Sequence, residues 1–463
     1  MTYHIFEQLD KNGYIEERTI KQLYSIDDGR FLPDRYVTGT CPYCGYEKAR
    51  GDQCENCTKV LEPTDLINAR STISGSANLE VRETKHLFLM LPKLEKKLDE
   101  WLKTKEPFWP DVAYSIARKW LKEGLQERCI TRDLKWGFPV PKSGFEDKVF
   151  YVWFDAPIGY LGITKQWADA DPENRSWKDW WFNADDVRHV EFMGKDNVPY
   201  HAISFPATLI GTGEPWTQVD YLKGMSYLTY EGGKFSKSAK RGIFAEDAVK
   251  EFPADYWRYW LMSNAPEGSD SSFSFDLFAG TVNKDLNGVY GNFVSRVLKM
   301  TASKLGEEVP AGGTMEEVDR ELVKVLQEKV NNYLKYMQEM EFRKALGELR
   351  AVWVEGNNYI SVTEPWTVIK ENPERAAAIL RNCINLIRIF AILSAPIMPD
   401  TSAKVFAKLN LDKNDLPLLQ NFDIAKEIEY LKPGHKFTVG DTLFERITPE
   451  RTEELKNKYG SDK

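Results

Sequence analysis

Two cysteine pairs within residues 41–57 constrain this chain more than any other feature. Cys41-Pro42-Tyr43-Cys44 and Cys54-Glu55-Asn56-Cys57 are adjacent C-x-x-C knuckles, with Gly51 and Asp52 placed to turn the segment between them. Each knuckle presents two sulfurs from one tight turn, so the two together can converge four thiolates on one zinc ion. A pair of disulfides is the competing arrangement, and a cytoplasmic chain seldom keeps those. A closed shell of four Cys ligands leaves no open coordination position, so the expected zinc is structural. Cys129 and Cys383 stand apart in apolar surroundings and read as small buried hydrophobes.

The chain of 463 residues is too long for a single core, and several modules are expected at about 150 residues each. No apolar run approaches the length of a membrane span, so no membrane partner is expected. The opening Met1-Thr2-Tyr3-His4-Ile5-Phe6-Glu7 has neither the basic nor the apolar region of a secretory signal, which places the expected location in the cytoplasm. A formal charge of −8 excludes a protein that is basic all over, so any nucleic-acid contact must use local Lys/Arg patches.

Ile5, Phe6 and Leu9 set a helical pattern that stops at Asn12-Gly13. Residues 79–150 read as alternating helix and turn. One helix carries Leu94, Leu98, Trp101 and Leu102, and a second runs through Val112, Ile116, Trp120 and Leu121. Residues 149–154 are continuously apolar and suit a buried parallel strand, ended by Pro157 and Gly159. A second unit has a strand over 187–193, a turn at Gly194-Lys195-Asp196-Asn197 and a helix over 200–209. Ligands in open α/β sheets bind beyond the carboxyl ends of strands, so Trp153, Asp155, Tyr160, Asp196 and His201 are expected to share a pocket. Taken singly, His201 and Trp153 suit core packing better.

Glu231-Gly232-Gly233-Lys234-Phe235-Ser236-Lys237-Ser238 reads as a mobile, doubly cationic loop able to close over phosphates. Its glycines give backbone freedom, Lys234 and Lys237 give point charges, and Ser236 and Ser238 give hydroxyl donors. A solvated basic turn is the plainer alternative. From about Val289 the chain is helical: Leu322, Val325, Leu326, Val330, Tyr333, Leu334 and Met337 recur at three and four residues. Further helices run through Phe342, Ala345, Leu346, Leu349 and Trp353, and over 379–393. Together these predict a helical bundle. The charged stretch from Glu450 is expected to fray.

In this order the motifs resemble those of the class I methionyl-tRNA synthetases over nearly the whole chain. Residues 234–238 resemble the lysine-serine signature loop of class I enzymes, with Phe235 where Met is commoner, and residues 151–160 resemble the family's methionine-pocket segment. The resemblance implies a second half of an α/β Rossmann-like class I catalytic fold with a zinc-knuckle connective domain, followed by an all-α anticodon-binding bundle. The implied boundaries are 1–147 for the connective domain, 148–225 for the half-fold, 226–286 for the signature loop and stem-contact region, 287–430 for the bundle and 431–463 for a tail.

It implies methionine binding by Trp153, Ala156, Pro157, Tyr160, Asp196 and His201. It implies ATP binding by Lys234, Ser236, Lys237 and Ser238, with Lys234 and Lys237 catalytic and Mg²⁺ assisting. Structural zinc falls to Cys41, Cys44, Cys54 and Cys57, and reading of the CAU anticodon of tRNA(Met) to Asn292, Arg296 and Trp366. The family's early His-x-Gly-His element has no counterpart among His4, His86, His189, His201 and His435. The implied activity is therefore methionine–tRNA ligation completed by a separate polypeptide carrying the first half-fold, and the alternative is a non-catalytic tRNA-binding protein derived from a synthetase.

Overall fold

A computed structural model describes residues 1–51, 54, 56, 57, 59, 61–182, 184–237, 240–412 and 416–460. The chain divides into two compact units, Met1–Gly224 and Met225–Lys463.

The first unit is built on an antiparallel ribbon. Strand Ile15–Ser25 pairs with Leu79–Leu89 in unbroken register from Ile15 opposite Leu89 to Ser25 opposite Leu79. At about 3.3 Å per residue this ribbon spans roughly 35 Å, and its two ends enter separate cores. Ile15, Leu87 and Leu89 enter the large apolar core of the unit, whereas Leu23 enters a small core with Leu32, Val37, Leu61, Leu66, Cys41 and Cys54. Helix was the expectation for residues 79–89. Along the middle of this second strand residues 81–83 and Lys85 are exposed and the buried residue among them, Thr84, is polar, so the sequence shows no clean two-residue alternation of apolar and polar residues.

Helix Thr2–Lys11 buries Ile5, Phe6 and Leu9 and ends at Asn12, as its pattern predicts. Helix Leu91–Lys103 buries Leu94, Leu98 and Leu102. Helix Asp111–Glu123 buries Ala113, Ala117 and Leu121 instead of Val112, Ile116 and Trp120. Its small residues face the core, and the larger ones lie along the half-buried margin.

Residues 149–154 depart furthest from expectation. Only Val149–Phe150 is strand, and it pairs antiparallel with Thr131–Arg132. From Val152 to Asp169 the chain is helix, with Pro157 inside it and Phe154, Pro157, Ile158 and Leu161 buried. A short apolar run carries no period that separates a buried strand from a buried helix; here the buried positions recur at three and four residues. The expected strand over 187–193 begins later, as Val190–Gly194, and among the described residues its ladder is with Tyr221–Met225.

The second unit holds a parallel pair, Leu228–Tyr230 with Ser271–Phe273, and a helical bundle. Helix Glu317–Gln338 buries Leu322, Leu326, Val330 and Tyr333, and Phe342–Thr363 buries Ala345, Leu346, Leu349 and Trp353. Pro373–Ser394 is buried almost all round. Contrary to the sequence reading, this run is apolar and long enough to cross a membrane, but its surface is covered by the bundle, as in the core helix of a globular protein. The buried Asp319 carboxylate ties three helices together: Arg375 donates to it at 2.5 and 2.9 Å and Tyr359 at 2.5 Å. Burial alone would raise that carboxyl, but these donors outweigh it and hold the pKa below the usual carboxylate range.

The stretch from Glu450 is ordered, contrary to expectation. Pro449–Tyr459 is a helix capped by the Thr448 hydroxyl, with Thr452 and Leu455 buried. Glu251 holds it in place, accepting from Lys458 Nζ at 2.7 Å and Tyr459 Oη at 2.6 Å and pairing with Arg451.

Candidate active site and RNA-reading face

Recasting residues 152–169 as a helix changes how the expected methionine-binding residues relate. Trp153, Ala156, Pro157 and Tyr160 fall at i, i+3, i+4 and i+7, one stripe of a helix; on a strand they would have divided between two faces. Tyr160 Oη lies 3.0 Å from His201 Nε2, and His201 Nδ1 lies 3.1 Å from the Asn197 carbonyl oxygen. The carbonyl oxygen can only accept, so His201 Nδ1 donates to it, which leaves Nε2 to bond the tyrosine hydroxyl. Burial first, and the nearby Glu191 carboxylate second, push the Tyr160 phenol above its ordinary value, so it stays a donor.

Trp153 stacks on Tyr200 with ring centroids 4.1 Å apart and planes 11° from parallel. His201 and Tyr200 sit on a wide π-helical turn, Tyr200–Ser204, that leads into helix Phe205–Thr212. Such turns often mark functional positions because they re-aim side chains. Tyr200 and Asn197 were missed by sequence reasoning, although an aromatic residue next to His201 was a usable signal. Pro157 is buried and Ala156 exposed. Asp155 shares the first turns of this helix, and its carboxyl is raised by burial. Asp196 is exposed and turns back on its own loop: a Cβ added at Gly194 would lie 2.7 Å from its Oδ1. No described contact brings Asp196 to Tyr160 or His201.

In the second unit, the signature stretch is closed by two backbone clasps. Tyr230 and Gly233 exchange bonds at 2.8 and 2.9 Å, and Ser236 and Arg241 exchange bonds at 3.0 and 2.9 Å. Arg241 Nη2 also donates to the Tyr230 carbonyl at 2.8 Å. Phe235 packs among Tyr230, Phe244 and Phe273 and lies on Gly242, whose φ of +89° and lack of a Cβ allow that approach. The aromatic therefore pins the loop, leaving Lys234 and Lys237 exposed. Lys237 Nζ is 5.4 Å from the Phe244 ring centroid, and the C-terminal helix reaches the loop's exit, where Gly242 N–H donates to the Tyr459 carbonyl at 2.9 Å. Ser238 lies outside the described residues, as does Asp52 of the knuckle.

On the bundle, Asn292 and Arg296 occupy successive turns of helix Asn292–Leu305, and the Arg296 guanidinium carbon is 5.3 Å from the Trp366 ring centroid. Trp366 is half-exposed. It follows Glu364, a non-glycine residue held at φ 39° and ψ 56°, a left-handed conformation that costs about 1 kcal/mol or more and persists where surrounding structure imposes it. An aromatic face, a guanidinium and an amide are thereby brought to one patch.

In the knuckle, Cys41 and Cys57 sulfurs are 3.8 Å apart, those of Cys44 and Cys54 are 3.6 Å apart, and all four lie within 4.8 Å of one another. Disulfide sulfurs sit at about 2.05 Å, whereas a tetrahedron with Zn–S bonds of about 2.3 Å has edges near 3.8 Å. The donor set fits zinc.

Residues 1–298 match the family model for tRNA synthetases class I (M), and residues 309–463 match that for the anticodon binding domain of methionyl tRNA ligase. The chain belongs to the class I methionyl-tRNA synthetases. Among relatives, the methionine–tRNA ligase of Streptomyces avermitilis is 53% identical over 469 residues, covering 99% of this chain and 82% of its own length. Methionine–tRNA ligase 1 of Acaryochloris marina is 50% identical over 462 residues, covering 100% of this chain and 82% of its own. The fold is that of Mycobacterium tuberculosis methionyl-tRNA synthetase, solved in complex with methionyl-adenylate, at a TM-score of 0.74 and 22% identity over 96% of this chain and 80% of that one. The family assignment accounts for the helical anticodon-type bundle and for the four-cysteine knuckle set apart at the end of the ribbon.

Proposed function

We propose that this chain binds methionine in the Trp153–Tyr160–His201 pocket and takes part in its ATP-dependent ligation to tRNA(Met). The observation that carries this reading is the Asn197–His201–Tyr160 hydrogen-bond relay beside the stacked Trp153–Tyr200 rings. A thioether is weakly polar and polarizable, and the aromatic faces of Trp153 and Tyr160 suit it without demanding a charge. Asp196, Ala156 and the buried Pro157 belong to the walls of the same pocket in this reading.

The methionine carboxylate attacks the α-phosphorus of ATP and pyrophosphate leaves; a hydroxyl at the tRNA 3′ end then attacks the adenylate carbonyl and AMP leaves. Neither step needs a protein nucleophile. Lys234 and Lys237 stabilise charge on the phosphates, with Ser236 and Ser238 as donors. Mg²⁺, when bound with ATP, neutralises phosphate charge. Trp366 stacks an unpaired anticodon base while Arg296 and Asn292 read base edges. Zinc on the four cysteines is structural. The segments 1–147, 148–225, 226–286, 287–430 and 431–463 serve as connective domain, half-fold, signature region, bundle and tail, and the protein works in the cytoplasm.

We infer further that activation of methionine requires a first half-fold carrying His-x-Gly-His, supplied by protein other than these 463 residues. The pocket helix supports this: Val152, Tyr160, Ile163 and Trp167 are exposed along it at 56%, 41%, 67% and 42%, a stripe that a packed partner would cover. Methionine-dependent ATP–pyrophosphate exchange tests both statements. The purified, zinc-loaded chain should be inactive alone and active once a first half-fold polypeptide is added; exchange by the chain alone would refute the requirement.

A further inference from the structure

Residues 134–141 form a short arm in the first unit that the pocket does not use. Its entry is fixed by Asp133, which pairs with Lys148 and lies 2.9 Å from His86 Nε2 and 3.2 Å from Thr84 Oγ1. His86 and Lys148 are both buried. Its exit is fixed by Phe138, whose carbonyl accepts from Phe150 N–H at 2.8 Å, and by a bridge between Pro139 and Val149. Between these pins Gly137 has a φ of +148°, and a Cβ there would come within 2.8 Å of Val149. The arm is thus held rigidly against the strand that feeds the pocket helix. At its tip Trp136 is 90% exposed and Phe138 55%.

Burying a tryptophan removes about 150–250 Å² from water, so an arm pinned at both ends that holds the ring in solvent forgoes a large gain. The residues around the ring indicate what covers it. Residues 134–141, Leu-Lys-Trp-Gly-Phe-Pro-Val-Pro, carry one positive charge and no negative one, in a chain whose net charge is −8. A single ring with a cation beside it matches one base and its phosphate. A protein partner would call for a contiguous apolar patch of several hundred Å², whereas Trp136 and Phe138 are the two large apolar residues exposed on the arm, separated by Gly137 and beside Lys135.

Two residues beyond Val149–Phe150 the pocket helix begins, and Arg132, at the root of the arm, places its guanidinium 3.7 Å from the Tyr151 ring centroid. We propose that Trp136 is a stacking platform for the unpaired 3′-terminal bases of tRNA, with Lys135 meeting their backbone. This rests on the ligase reading, in which the 3′ end must reach the pocket.

The test uses the purified chain with two tRNA(Met) transcripts, one intact and one lacking its single-stranded 3′ nucleotides. The wild-type chain should prefer the intact transcript by about 5- to 150-fold, the range of one stacked base. Trp136→Ala should abolish most of that preference while leaving affinity for the shortened transcript unchanged, and Trp136→Phe should keep most of it. Equal affinity of the wild type for both transcripts, or equal weakening of both by Trp136→Ala, would overturn the proposal. So would an alanine variant that loses affinity for an added first half-fold yet still discriminates the transcripts. Anticodon-dependent binding without a 3′ preference refutes only this inference; no tRNA binding by the folded protein refutes the ligase reading with it.

Discussion

Replacing Glu251 with Gln should loosen the C-terminal helix in a pH-dependent way. The carboxylate accepts from Lys458 and Tyr459 and pairs with Arg451. The Lys458 and Tyr459 bonds hold its pKa at about 2, against an ordinary value of 4.5. At 1.36 kcal/mol per unit the difference corresponds to about 3 kcal/mol, and the 57% exposure of Lys458 brings the expected value to about 2 kcal/mol through screening. Because the folded-state pKa lies below the unfolded one, this contribution is complete above about pH 5 and is lost as pH falls from 4.5 toward 2. Hydrogen exchange of residues 452–459, measured from pH 7 down to pH 3, reads the opening free energy of this helix directly. Glu251→Gln should lower it by about 2 kcal/mol at pH 7, with the gap narrowing below pH 4.5. A gap that stays constant with pH, or no gap at neutral pH, would show that the helix is held without the Glu251 carboxylate, by the burial of Leu455 and Thr452, the Gly242–Tyr459 bond and the Lys456–Asp276 pair.

Trp366→Ala should weaken binding of tRNA with a CAU anticodon by about 1–3 kcal/mol in a filter or fluorescence titration; unchanged affinity would remove the bundle patch from anticodon reading. In a preparation completed with a first half-fold, Lys237→Ala should depress pyrophosphate exchange by at least about tenfold, a modest share of what charge stabilisation supplies at such sites, while tRNA affinity stays within about twofold. Tyr160→Phe, which removes the bond to His201 Nε2, should raise the methionine KM about five- to tenfold, the equivalent of one buried hydrogen bond; an unaltered KM would place methionine elsewhere. Metal analysis should find one zinc per chain, and chelation should melt the small core around Leu23, Leu32 and Val37 before the rest of the first unit unfolds.

The bundle was legible in the sequence because each of its outer helices buries one stripe and wets the other. Leu322, Leu326, Val330 and Tyr333 repeat at intervals that only a helix satisfies. The four cysteines were legible because spacing alone limits what they can bind. The pocket helix was not, since residues 149–154 are apolar without a period, and the residues expected to bind methionine were named on an element that was misassigned. The ribbon escaped because the residue buried along the middle of its second strand, Thr84, is polar and leaves no apolar alternation to read. The C-terminal helix escaped because two buried residues and a set of ion pairs to a distant glutamate hold it, and such partners cannot be read from local sequence. Pinning of the signature loop by Phe235 on Gly242 belongs to the same class: each residue is visible, but their meeting is not.

The ribbon has one more consequence. Because its two strands are joined only through residues 26–78, the whole knuckle is a very long hairpin loop, and closing that loop costs about 3 kcal/mol more than closing a two-residue turn. Excising residues 26–78 in favour of Asn-Gly would therefore return conformational entropy to the remainder while removing the small core at the ribbon's far end. Descendants of such a chain could lose, enlarge or exchange the distal module by simple insertion or deletion, with the Tyr160–His201 contact and the large core left intact. Any dependence on zinc is in that sense confined to the small core around Leu23, Leu32 and Val37, separate from the large core around Phe154, Ile158 and Ala202.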